Sequence, residues 1–171
     1  SFIADFATVD AGANVNVQAM SMGDATVDAT GVSVGAGLAI GISLVDAEVT
    51  PHVESRIGRA DIDAEGNISV ESYHNFVGTV PQSKGATADG SASGGGILAG
   101  NGVDAEAIAS AIVSSTVSGN GGSLDAGGNV MIVARSHNSA NVEALAKTLG
   151  VVGAGATLGD ATANGSTQAL L

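Results

Sequence analysis

The fold is decided by a ten-residue stretch, Val9-Asp10-Ala11-Gly12-Ala13-Asn14-Val15-Asn16-Val17-Gln18, which recurs as Ile62-Asp63-Ala64-Glu65-Gly66-Asn67-Ile68-Ser69-Val70-Glu71 and Leu124-Asp125-Ala126-Gly127-Gly128-Asn129-Val130-Met131-Ile132-Val133. Each copy runs from an apolar residue and Asp-Ala through a Gly-containing pair and Asn into an apolar strand. Asp and Asn bond their own backbone in turns, and Asn and Gly tolerate positive φ. The stretch therefore predicts strand, turn, strand, with these turn residues: Asp10, Asn14, Asp63, Asn67, Asp125 and Asn129.

A second phrase follows the first in each copy, after a Gly-rich apolar run. It reads Val45-Asp46-Ala47-Glu48, then Val103-Asp104-Ala105-Glu106, then Gly159-Asp160-Ala161-Thr162, with starts 58 residues apart (45 to 103) and 56 apart (103 to 159). The Asn of the first phrase recurs after 53 residues (14 to 67) and 62 (67 to 129). Two phrases that keep one period indicate internal repeats. We expect one continuous segment with repeats at 5–58, 59–120 and 121–171.

The composition favours a narrow interior. The chain has 26 Gly, three Phe, one Tyr and no Trp, so Val, Ile, Leu and Ala must fill the core without large aromatic anchors. Hydrophobic residues at 44% and charged residues at 13% argue against disorder. The absence of Cys removes disulfides, thiolate chemistry and Cys-ligated zinc.

The charge excludes one class of partner. Five Lys and Arg stand against 17 Asp and Glu, for a net charge of -12. Such a chain lacks the counterion-release term that drives nucleic-acid binding, and anionic membranes repel it. The run 31–45 is shorter than the roughly 20 apolar residues of a membrane helix, so no membrane insertion is predicted. Residues 1–5 show neither a signal peptide nor an initiator Met, so we expect a fragment whose own chain continues beyond both termini.

The period and the turn residues select among all-β folds. Propeller blades would carry aromatic signatures, and sandwich domains would need about 100 residues each. A parallel β-helix or β-solenoid remains. Coils of about 20 to 30 residues would give two or three per repeat and a rod of about 30 to 45 Å.

Four local predictions accompany this fold. Residues 105–117 are expected to form a strand rather than a helix, because Ile and Val pairs follow the Ala-rich start. Pro51 marks a strand edge or start. The stretch 84–91 is the expected irregular loop, and 119–122 the expected turn.

Candidate ligand sites are few. Asp10, Asp63 and Asp125 are the calcium candidates, since Ca²⁺ prefers carboxylate and carbonyl oxygens. Turn capping is the favoured alternative, because the calcium-binding nonapeptide pattern is absent and intervening coils would separate the three. His74 and His137 fall at matching positions but lack a third metal ligand. No cofactor is assigned.

Phosphate binding and catalysis are not predicted. The glycine runs 35–41 and 94–102 lack the Gly-Lys-Ser/Thr of a phosphate loop and are interpreted as sites of close backbone packing. A polysaccharide-processing β-helix would need two carboxylates about 5 to 10 Å apart. Sugar sites also use aromatic platforms and Arg, and the chain has one Tyr and three Arg. The expectation is a protein that is not an enzyme.

The two phrases, together with Gly31-Val32-Ser33-Val34-Gly35-Ala36-Gly37-Leu38-Ala39-Ile40-Gly41-Ile42-Ser43-Leu44-Val45, resemble the degenerate repeats of large bacterial surface adhesins. These are the filamentous haemagglutinin and leukotoxin-like filamentous adhesins. The resemblance implies export to the bacterial cell surface and a structural stalk, with host or neighbouring cells contacted through regions outside this segment. An extracellular filament or matrix protein that self-associates laterally is the alternative, since exposed apolar strands usually mark interfaces.

Overall fold

The protein is an all-β chain. The computed structural model describes residues 1–118 and 121–171, and within them it has strands and no helix. The strands are β1 (Phe2–Ile3), β2 (Thr8–Ala11), β3 (Val15–Ser21), β4 (Ala25–Val34), β5 (Leu38–Val49), β6 (His52–Ile57), β7 (Asp61–Ala64), β8 (Ile68–His74), β9 (Phe76–Val77), β10 (Val80–Pro81), β11 (Ala86–Val117), β12 (Ser123–Ala126), β13 (Val130–Ser136) and β14 (Ala140–Leu170). The all-β prediction is confirmed.

The strands pair in parallel in three sheets. One sheet has the order β12-β7-β2 and another the order β13-β8-β3. The third has the order β1-β6-β11-β14, and β4 and β5 also pair with β11. The short strands β9 and β10 form an antiparallel pair of their own. The parallel sheets agree with the predicted strand arrangement.

Apart from the pair β9 and β10, every strand pairing joins segments one repeat apart in the chain. Val15 aligns with Ile68 and Ile68 with Val130, while Ala25 aligns with Ala86. We call residues 8–57, 61–117 and 123–170 the first, second and third pass, since each runs once through the same series of strands. The prediction of two or three coils per repeat is wrong, because residues one repeat apart pair directly, so each repeat makes a single pass. The predicted length of 30 to 45 Å is wrong with it, since first- and third-pass strands lie about 10 Å apart.

The alignment of the second phrase also needs correction. Asp46 pairs with Glu106, and Glu106 pairs with Asp160, whereas the sequence comparison had matched Asp104 with both aspartates. Asp104 instead pairs with Leu44 and Leu158. A shift of two residues leaves every side chain on the same face of its strand, so the apolar pattern alone does not detect it.

The core is aliphatic and narrow. One buried cluster lies among the short strands and contains Ile57, Ile62, Ile68 and Val70. A second cluster lies between β4, β5 and their counterparts in β11 and β14, and it consists of Val and many Ala. Small side chains bring the layers close together. Backbone hydrogen bonding between strands therefore contributes much of the stability that large core residues contribute in other proteins.

The second cluster belongs to a two-layered projection that we call the arm, residues 25–49, 86–109 and 140–163. In the first pass β4 and β5 pack against each other, joined by the corner at residues 35–37. Their inward positions carry Ala, Gly, Ser and Val, and their outward positions are exposed. The second and third passes continue these layers through β11 and β14.

The local predictions had mixed outcomes. Residues 105–117 lie within β11, so the strand prediction is confirmed, and Pro51 comes directly before β6. The loop predicted at 84–91 is wrong from Ala86 onward, since Ala86 already pairs with Ala25 and Ala140. The extra residues of the second pass form the β9–β10 hairpin instead. Of the turn predicted at 119–122, residues 119 and 120 lie outside the described part of the chain.

Candidate functional site

The three turn asparagines form a hydrogen-bonded column. The backbone N–H of Asn67 donates to Asn14 Oδ1 at 2.7 Å, and that of Asn129 donates to Asn67 Oδ1 at 2.8 Å. These turns were predicted partly because Asn tolerates positive φ. None of the three asparagines has a positive φ. Asn is used here because its side chain bonds the next pass where the strands are interrupted.

The calcium candidates lie in strands rather than in the turns predicted for them. Asp10, Asp63 and Asp125 occupy equivalent positions in β2, β7 and β12, and all three are exposed. Asp63 pairs directly with both of the others, so the expectation that intervening coils separate them is wrong. The three carboxylates form one acidic column on the outside of the sheet, at strand spacings of about 4.8 Å.

Two further acidic columns were missed by sequence reasoning. Asp28, Asp89 and Glu143 align on one side of the arm, and Asp46, Glu106 and Asp160 align on the other. A register-based comparison would have found them, because acidic residues recur after 61 and 54 positions in the first column (28 to 89, 89 to 143). Among the described residues, no group of three or more His, Asp or Glu has the arrangement of a metal site.

Two basic residues form ion pairs, and their partners are aspartates outside these columns. Arg59 bonds Asp5 at 3.1 Å, and Lys84 bonds Asp24 at 3.2 Å. The pKa of Asp5 is lowered mainly by a hydrogen bond from the backbone N–H of Arg59, and next by one from the Arg59 side chain. The pKa of Asp24 is lowered mainly by the Lys84 side chain, and next by the backbone N–H of Gly85. The described ion pairs thus join segments about one repeat apart in the chain, and neither involves a residue of the acidic columns.

His74 is fully buried at a corner of the second pass. It pairs with Ser21 and Ser136 in the neighbouring strands, so its predicted equivalence to His137 is wrong by one residue. Neither ring nitrogen has a hydrogen-bond partner among the described residues. Burial, and then the nearby His137, lower the pKa of His74; the Ser21 carbonyl opposes them without reaching hydrogen-bonding geometry. The ring is therefore a neutral core group at neutral pH.

Asn75, the next residue, connects all three passes. Its backbone has φ of 54°, and its side chain is fully buried. The side-chain carbonyl accepts from the N–H of Gly23 at 3.0 Å, and the side-chain amide donates to the carbonyls of Lys84 and His137 at 3.2 and 3.3 Å. Sequence reasoning did not single out Asn75, because the first and third passes carry Met22 and His137 at that position.

Some glycines of the two runs allow close packing within the arm. A Cβ on Gly41 would lie 2.9 Å from Asn101 Oδ1, and one on Gly96 would lie 2.9 Å from the carbonyl oxygen of Gly35. Both distances are below any ordinary Cβ contact. The interpretation of close packing therefore holds at Gly41 and Gly96, but it is wrong at Gly37 and Gly100, where a Cβ would meet nothing within 4 Å.

Several open concavities lie on the surface, and one of them is near the first residues. It is lined by Ser1, Phe2, Met20, His52, Glu54 and Arg56, among others. Glu54 is the one carboxylate in that lining, whereas two other concavities lie on the arm and are each lined by three carboxylates: Asp28, Asp89 and Glu143 in one, and Asp46, Asp104 and Glu106 in the other.

Comparison with known proteins adds no assignment. No protein family model matches the sequence, and no curated protein or solved structure is significantly similar to the chain. In the described residues, no helix has the length and apolarity needed to cross a membrane. The function is therefore inferred from the strand register, the asparagine and acidic columns, and the exposed surface of this chain.

Proposed function

We propose that the chain is a structural segment of a β-solenoid, in which each repeat of about 57 residues forms one winding. Its role is that of a stalk in a large bacterial surface adhesin, holding binding regions away from the cell. The supporting observation is the parallel pairing of Ala86 through Thr116 with Ala140 through Leu170, which is interrupted only at Ile97. Such pairing lets windings be added indefinitely, because each needs only the edge of the one before.

The proposed role is mechanical rather than chemical. The candidate side chains either bond the neighbouring pass, as the Asn column does, or lie exposed in acidic columns. An acidic, low-aromatic surface suits a spacer, because charge of one sign keeps neighbouring molecules soluble. In this proposal the chain is not an enzyme, it is located outside the cell, and the surface of a host or neighbouring cell is contacted by other regions.

Surface display tests this role. Intact bacteria producing the full protein are treated with a protease, and the segment is followed with an antibody raised against the 171-residue chain. Loss of the segment from intact cells supports an extracellular stalk, and full protection until the cells are lysed contradicts it. Cleavage of any member of a polysaccharide panel by the purified chain would also overturn the proposal.

A self-assembling extracellular filament is the second candidate. It is favoured by the outward edges of β4, β5 and β14, for which the described residues provide no partner strand. Such edges can template further strands. Sedimentation over a wide concentration range separates the two: species of fixed size support the stalk, and assemblies that keep growing with concentration support the filament.

A further inference from the structure

One side of the arm has its large residues on the outside. We call it the β5 face: it consists of the outward positions of β5 and of the residues in β11 and β14 that pair with them. A half-buried strand normally has its large residues inward. On β5 the pattern is reversed, and four aliphatic side chains in alternate positions are 62 to 73% exposed: Leu38, Ile40, Ile42 and Leu44. Several exposed apolar side chains together usually mark an interface.

The neighbouring passes form a shallow depression beside this aliphatic ridge. Ile40 pairs with Gly100, and Ile42 pairs with Gly102. A Cβ on Gly100 would meet nothing within 4 Å, so the space above its backbone is open. On the third pass the same rows carry only small side chains, Ala154 and Ala156. The depression can therefore receive aliphatic side chains of a partner, with the ridge as its apolar wall.

The β5 face changes from apolar to acidic towards the base of the arm. Asp104 lies on the second pass between Leu44 and Leu158. The next outward row is entirely acidic and consists of Asp46, Glu106 and Asp160. Leu44 and three of these four carboxylates line an open concavity of about 210 Å³. Among the described residues, no Lys or Arg occupies an outward position of this face, and neither ion pair includes its carboxylates.

The surroundings of Asp104 fit one kind of side chain. Lys and Arg pack their aliphatic stems along apolar surface while their charged heads stay outside it. Over Asp104 such a stem would contact Leu44 and Leu158, and its head would bind the carboxylate. Outward positions along the strand recur about every 6.6 Å, which is also the spacing of alternate side chains in an extended peptide. An extended segment can therefore match successive rows of the face.

We infer that the β5 face binds a cationic, amphipathic segment of another protein. Aliphatic residues of the segment lie over Gly100 and Gly102, and Arg or Lys residues at the next alternate positions lie over Asp104 and Glu106. The charges decide the choice of occupant, because a basic segment is attracted to the acidic rows. A second acidic copy or an anionic membrane is repelled by them. This binding goes beyond the stalk proposal and does not depend on it.

Three synthetic peptides and the purified 171-residue chain test the inference. The probe contains Leu-Ser-Leu-Ser-Arg-Ser-Arg, and two control peptides replace either both Arg by Gln or both Leu by Ser. Each peptide carries one terminal Trp, whose fluorescence anisotropy reports binding because the chain has no Trp. At low salt the probe should bind at least about tenfold more tightly than either control, and about 0.5 M sodium chloride should weaken it by a similar factor.

Matched variants locate the binding site. Ile42→Ser shortens the ridge and Asp104→Asn removes a carboxylate; both side chains are exposed, so the circular dichroism spectrum should stay native. Each should weaken binding of the probe at least about fivefold. Val32→Ser and Asp89→Asn make the same changes on the opposite face of the arm, and Val32 is as exposed as Ile42. These two controls should bind the probe like the native chain.

Several outcomes overturn the inference. They include no binding of the probe, equal binding of all three peptides, and binding that strengthens with salt. Equal losses in Asp104→Asn and Asp89→Asn would attribute binding to net charge alone. A native chain that self-associates and becomes monomeric in Ile42→Ser assigns the face to a second copy, and phosphatidylcholine vesicle binding that is lost in Ile42→Ser assigns it to lipid. The stalk proposal survives each of these results, since surface display measures it separately.

Discussion

The side-chain carbonyl oxygen of Asn67 accepts a hydrogen bond from the backbone N–H of Asn129 at 2.8 Å, across the 62 residues of one repeat. The same atom type on Asn14 accepts from Asn67. Each Asn thus satisfies an N–H at the bend between two strands, where the ladder is interrupted. Both bonds lie at exposed residues, so each contributes the net value of about 0.5 to 1.5 kcal/mol of an ordinary hydrogen bond.

Removing the central side chain of this column should weaken the stack. Asn67→Ala leaves the Asn129 N–H without its acceptor, and we expect a loss of about 1 kcal/mol in the free energy of unfolding. Urea titration followed by circular dichroism measures it. Asn67→Asp keeps an acceptor oxygen and should recover part of the loss. Equal losses for Ala and Asp would contradict a hydrogen-bonding role.

Two glycines at the same position of the repeat should respond differently to substitution. A Cβ on Gly127 would overlap the backbone carbonyl of Glu65, whereas one on Gly12 would meet only the tip of the Glu65 side chain at 3.9 Å. Gly127→Ala should therefore destabilise the chain by about 1 to 3 kcal/mol, since backbone must move. Gly12→Ala should change stability by less than about 0.5 kcal/mol. Thermal unfolding of both variants decides this, and similar midpoints would count against the described register.

Electrostatic repulsion within the acidic column on β2, β7 and β12 should destabilise the fold. Like charges about 4.8 Å apart repel by about 0.9 kcal/mol in water before screening. Asp63→Ala removes the central charge, and we expect a gain of about 0.5 kcal/mol that shrinks as salt is added.

Asp61→Ala is the control for this prediction. Asp61 lies on the same strand and is also exposed, but its Oδ1 accepts from the N–H and hydroxyl of Ser123 at 3.0 and 2.9 Å. Its removal should therefore lower stability by about 1 kcal/mol. If both aspartates respond alike, column repulsion is not the cause.

The buried His74 should make stability depend on pH. Its pKa is lowered in the folded state from the ordinary 6.5, so the unfolded chain takes up a proton first. The contribution is fully present above pH 6.5 and is lost as pH falls from there towards the folded pKa. The slope reaches at most about 1.4 kcal/mol per pH unit. His74→Gln should remove this component from a urea series at stepped pH.

His52 supplies the comparison for that series, because it is exposed on β6. His52→Gln should retain the slope of the native chain. A native slope that survives in His74→Gln would assign the dependence to another group.

The sequence predicted strands correctly where apolar and β-branched residues follow the pattern of a strand. The apolar end of the first phrase, 15–18, and the Ile and Val pairs within 105–117 indicate strands directly, and both lie in strands. It predicted the candidate residues less well. His74 was matched to His137 and Asp46 to Asp104, because single-residue and two-residue shifts look alike in a degenerate repeat.

The sequence by itself determined that this chain is all-β and that equivalent phrases recur about every 57 residues, because strand propensity and turn residues act locally. Only the tertiary structure decided that one repeat makes one pass, which acidic residues share a column, and that Ile40 and Ile42 face outward. The physical reason is the two-residue period of a strand. It fixes which side chains share a face, but it leaves the partner strand and its register to backbone pairing between residues 53 to 62 positions apart.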